Sequence, residues 1–235
     1  MLIPAIMPAI TAAISAITTA VAAVGPAISS FAASIGPTLS NIALQLKPYA
    51  MELANFANSF LQALGILKPG EQITDLGERA LQGLAQDIRM DKYDSIADYF
   101  ADLRKVELNP EMSEKRSFAE KLVTGLGVGT VALEHKFNAQ EGQFNGIWLL
   151  PLTNPNYFNS DRMQSLVSSG NLSGNILAYL SKCMTGGESR SFEKGLEKDA
   201  QGEQINPELR GELYTALEEA QNKWAEISKA IEGES

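Results

Sequence analysis

No charged side chain occurs before Lys47, and that stretch limits what the chain can fold into more than anything after it. An uncharged run of this length must meet lipid, other copies of itself or the chain's own interior, because apolar surface is driven out of water. Its large apolar residues fall at Ile3, Met7, Ile10, Ile14, Ile17, Val21, Val24, Ile28, Phe31, Ile35, Leu39, Ile42 and Leu46, three or four positions apart throughout. This spacing predicts a helical seam at heptad period with one four-residue stutter after Ile35. Ala, Ser, Thr and Gly fill most of the positions between, and small flanks let helix backbones approach closely.

A second period overlies the first. Pro26, Pro37 and Pro48 fall eleven apart, each with an apolar residue at the sixth place of its block (Phe31, Ile42, Leu53). A proline starts a helix readily because the first-turn N–H needs no partner. Gly25 and Gly36 are placed to end the preceding helix, and breaks or kinks are expected at both points.

Three arrangements compete for this segment. A spanning helix needs about 20 predominantly apolar residues, which Leu2 to Val24 supply. An interfacial helix usually carries Lys and Arg on its polar face, and none is present. A soluble bundle, within one chain or between chains, would bury the seam and leave Ser, Thr, Asn41 and Gln45 to water. A secretory signal is not expected, since nothing basic precedes the apolar run and the run is too long.

Beyond the leader the chain is acidic, with a net charge of −9 over 235 residues. That balance disfavours a nucleic-acid partner, which needs a basic face. A single cysteine, Cys183, excludes an internal disulfide and a cysteine-rich zinc site. The sole histidine, His135, sits in Leu-Glu-His-Lys-Phe with no second ligand at metal-binding spacing. No nucleophile elbow, phosphate loop or calcium loop occurs. The expectation is therefore no enzyme, no cofactor and no metal.

The fold class expected is mainly α, a long hydrophobic Ala/Ile-rich N-terminal helical segment followed by an acidic multi-helix body. The boundaries expected are a leader at 1–67, a helical body at 71–185, a polar linker or loop at 186–205, and a C-terminal amphipathic helix at 206–232. Lys68-Pro69-Gly70 marks the first boundary, and the complete amphipathic patterns after it predict a body that folds without the leader. Asp75 with Glu78 reads as a capping box, and 141–156 as a short strand or buried loop. Gly125 and Gly129 lie four apart on one helix face and suit a close helix crossing. In the last helix, Asn206 caps, Pro207 takes the first helical place, and Leu209, Leu213, Leu217, Trp224 and Ile227 form an interaction face.

In composition alone, an uncharged Ala/Ile/Gly leader joined to an acidic helical body resembles phage pilot or ejection proteins and other secreted membrane-inserting proteins. The function expected is a non-enzymatic structural or membrane-inserting component of a larger assembly, of the virion or mobile-element kind. Its N-terminal helices would associate with lipid or with other copies, making it a homo-oligomer or part of a particle. The alternative is a soluble helical adaptor whose N-terminal segment is its own core.

Overall fold

A computed structural model describes residues 6–170, 172, 174–199 and 201–233. The fold is mainly α, with 71% of the described residues in helix. Among the described residues there is no strand, only one isolated antiparallel bridge between Lys198 and Gln204.

The N-terminal segment forms α1 (Ile6–Ala23), α2 (Pro26–Ser34), α3 (Gly36–Gln45) and α4 (Lys47–Ala63). Pro26, Pro37 and Pro48 each occupy the first or second position of a helix. The eleven-residue period is thus a series of three helix starts, where a missing N–H leaves no bond unmade. α2 and α3 meet at 61°. Among the described residues no single helix is long and apolar enough to cross a membrane, and only the bent α2–α3 pair meets the criteria of length and composition.

The body continues with α5 (Ile73–Gly83), α6 (Ile96–Leu103), α7 (Pro110–Lys115) and α8 (Phe118–Lys136). α8 opens on a capping box: the Ser117 hydroxyl accepts the Glu120 N–H at 3.2 Å, and the Glu120 carboxylate accepts the Ser117 N–H at 2.7 Å. Every residue from Leu122 to Glu134 is buried. A helix apolar on all sides belongs at the centre of a core, and α8 is that centre: α1, α2, α3, α4 and α5 all pack on it. α5 starts at Ile73 rather than being capped by Asp75 as the sequence suggested. The reason lies outside the helix, because Asn58 of α4 supplies its side-chain oxygen to the Ile73 N–H at 2.6 Å.

The closest approach in the fold is between α5 and α8. A Cβ on Gly77 would lie 1.9 Å from the Lys121 carbonyl oxygen, and one on Gly125 would lie 2.0 Å from the Ile73 carbonyl oxygen. Only two glycines allow backbones to touch in this way. Gly127, on another side of α8, faces Phe31 and Ile28 of α2.

The chain ends with α9 (Leu149–Thr153), α10 (Ser160–Ser168), α11 (Ile176–Leu180), α12 (Gly186–Leu196) and α13 (Pro207–Glu232). The stretch at 141–156 is neither strand nor simple loop: a run of turns leads into α9. The segment 186–205 is not a linker over its first half. Thr185 and Glu188 form a capping box there, and Phe192 and Leu196 give an otherwise polar helix one buried edge. Phe192 stacks on Tyr179 with ring centroids 4.5 Å apart.

The boundary expected at 67–71 does not separate two interiors. Residues of α1 to α4 and residues of α5, α8, α9 and α13 belong to one continuous core. Arg104 ties the supposed hinge down, donating to both Glu71 carboxylate oxygens at 2.7 and 2.9 Å and to the Ile66 carbonyl at 3.1 Å.

Candidate functional site

The seam divides within α1. Met7 is 52% exposed, and Ile10 and Ile14 are half-buried. From Ile17 the pattern changes: Val21, Val24, Ile28, Phe31, Ile35, Leu39 and Ile42 are all 2% exposed or less. Leu46 is half-buried at the α3–α4 junction, and Ile3 lies outside the described residues. The heptad spacing thus serves two environments, an interior from Ile17 onward and an open helix end before it.

That open end has a distinct chemistry. Met7, Pro8, Ala9, Thr11, Ala12, Ser15 and Ala16 face solvent, and no charged residue lies in the helix. Thr11 and Thr19 each donate their hydroxyl to the carbonyl four residues back, at 3.0 and 2.9 Å. Their polarity is spent inside the helix, so the outward surface is mostly methyl and methylene.

The other residues singled out from sequence are used internally. Gly125 sits at the α5 crossing, whereas Gly129 faces the side chains of Leu61, Ile73 and Trp148. On α13, Leu213, Leu217, Trp224 and Ile227 are buried against the body, and the Trp224 indole N–H donates to the Ser181 hydroxyl at 2.9 Å. Leu209 stands apart at 44% exposed, beyond the reach of the body at the start of that helix.

Two buried carboxylates were not evident from sequence. Glu78 accepts from Gln82 and from the Ser113 hydroxyl (3.0 Å), with Arg116 at 3.6 Å and Lys121 at 3.9 Å. This network fastens α7 over the α5–α8 crossing, and burial of a charge demands such partners. Glu134, near the end of α8, accepts the Phe144 N–H at 3.0 Å. Burial pushes its carboxyl above the usual range, with the backbone N–H groups of Phe144 and Gly142 opposing that shift. The signal for the first was legible in principle: Gly77-Glu78 inside an amphipathic helix marks a close approach.

Among the described residues no group of three His, Cys, Asp or Glu side chains is placed to hold a metal ion. Comparison of the chain with protein-family models, with curated protein sequences and with solved structures gives no match.

Proposed function

We propose that this chain is a non-enzymatic helical adaptor, a component of a larger assembly, that keeps most of its apolar N-terminal segment as its own core and self-associates through the uncharged first turns of α1. One observation carries the reading: the seam splits at Ile14 to Ile17, so the same periodicity is satisfied internally after that point and left open before it. Ala9, Ala12, Ala13 and Ala16 flank the open part, and small flanks suit close packing against the same helix of another copy. The absence of Lys and Arg from α1 removes the electrostatic contribution that an interfacial membrane helix uses.

A second reading has the α2–α3 pair entering a bilayer, and its length and composition favour it. That route requires Ile28 and Phe31 to leave α8, where both are buried beside Gly127. Sedimentation velocity of the full chain without detergent separates the two. The adaptor reading expects soluble, concentration-dependent oligomers that Ile10→Glu converts to monomers. A monodisperse monomer at all concentrations overturns it, and detergent-dependent solubility with flotation on phosphatidylcholine vesicles favours the membrane reading.

A further inference from the structure

We infer that the cleft between α6 and the last turn of α8 binds a free medium-chain fatty carboxylate, its acyl chain against apolar walls and its carboxylate at Lys136. The inference goes beyond the assembly reading and uses no residue of α1.

The cleft holds about 340 Å³, at the lower end of the roughly 300–1,000 Å³ of ligand sites. Ile66, just past α4, Ile96, Ala97 and Phe100 of α6, and Ala132 of α8 line it. Phe100 and Ala132 are buried, whereas Ile66 and Ile96 are half-buried and Ala97 is exposed. Apolar surface is thus left against water in a concave place, and an acyl chain would cover it. A Cβ on Gly65 would meet nothing within 4 Å, so the wall beside Ile66 is bare backbone.

The charge of the cleft selects among apolar ligands. The chain carries a net charge of −9, yet no acidic residue lines the cleft, and its two charged lining residues are Arg104 and Lys136. Arg104 lies over the Phe100 ring, 5.3 Å from its centroid, and its charge is already matched by Glu71. Lys136 is exposed and, among the described residues, its ammonium makes no ion pair or hydrogen bond. One unmatched cation beside an apolar hollow complements a single anionic head on an apolar chain. Lys136 also meets the dipole of α8 in its last turn, so binding rather than stability is the informative readout. A partner helix fits less well. The eight residues of α6 give a track of roughly 12 Å, whereas protein interfaces need about 800 Å² a side.

The test is isothermal titration of the full chain with octanoate, octanol and octylammonium, each below the concentration at which it forms micelles. Saturable one-to-one binding of octanoate is expected, with octanol about fivefold weaker, the upper end for one exposed ion pair. Octylammonium should bind more weakly still. Lys136→Gln should bring octanoate down to the affinity of octanol, with unchanged melting. Ala97→Phe places a ring in the hollow and should weaken octanoate and octanol alike, by about tenfold, as apolar contact is denied to the chain. Lys229→Gln, at an exposed position of α13, should bind like the parent. No saturable octanoate binding, octylammonium binding as tightly as octanoate, or binding that both cleft variants leave unchanged overturns the inference. Flotation on phosphatidylglycerol vesicles that both variants weaken, without binding of free octanoate, overturns it in favour of a lipid surface.

Discussion

Gly77 and Gly125 meet where α5 crosses α8, so closely that a Cβ on Gly77 would stand 2.7 Å from the Gly125 backbone nitrogen. Both obstructing partners are backbone atoms, which cannot rotate away. Gly77→Ala and Gly125→Ala should therefore each destabilise at or above the top of the ~1–3 kcal/mol seen for overpacking. Gly129→Ala meets the movable end of Leu61 at 3.0 Å and should cost only about 1 kcal/mol. Urea midpoints of the three variants check the order; equal midpoints for Gly125→Ala and the parent would show that the helices do not cross there.

Glu134 makes a prediction with a definite sign. Its folded-state carboxyl is shifted upward by burial, so the folded chain holds the proton more tightly than the unfolded one. That contribution to stability is fully present below the ordinary carboxylate range and is lost as pH rises through the raised value. Glu134→Gln keeps an oxygen to accept the Phe144 N–H and carries no charge. It should gain stability relative to the parent as pH rises from 4 toward 8, read by urea unfolding across that range. A constant difference between the two proteins would show that the carboxyl is not shifted.

Thr130 joins two groups in the middle of the core. It accepts the Trp148 indole N–H at 2.8 Å and donates to the Leu126 carbonyl at 2.8 Å. Thr130→Val is nearly isosteric but strands the indole N–H, at a cost of about 1–3 kcal/mol. Thr130→Ser should retain the bond. Thermal melting compares the two, and a Val variant as stable as the Ser variant would mean that the indole finds another acceptor.

The leader should not be removable. A chain beginning at Gly70 would expose the sides of α8 that α1 to α4 cover, Gly127 and its apolar neighbours included. Such a chain should show weak helicity by circular dichroism and bind a hydrophobic dye. A cooperative melt from it would restore the independent body that the sequence patterns suggested.

How far the sequence reached depended on whether the signal was local. Helix starts at Pro26, Pro37, Pro48 and Asn206 are legible because a proline at the first or second helical position marks each one locally. The helical period of the seam was readable for the same reason. What Ile17 to Ile42 pack against was not, since α1, α2 and α3 pack on one another and also on α8, about a hundred residues away. Asp75 misled for a related reason: α5 takes its first bond from Asn58, a residue of another helix. The helix α12 hides behind its charge, because two apolar residues four apart, Phe192 and Leu196, suffice to seat it.

The position of α8 in the chain has a consequence for synthesis. Helices α1 to α4 emerge before α8, yet the surface that covers Ile28 and Phe31 is made about a hundred residues later. At about 5–20 residues per second, the nascent segment waits roughly 5–20 s with its apolar side unprotected. During that interval it is open to ribosome-associated chaperones, to neighbouring nascent chains and to membrane surfaces, all of which compete with a helix that has yet to be translated.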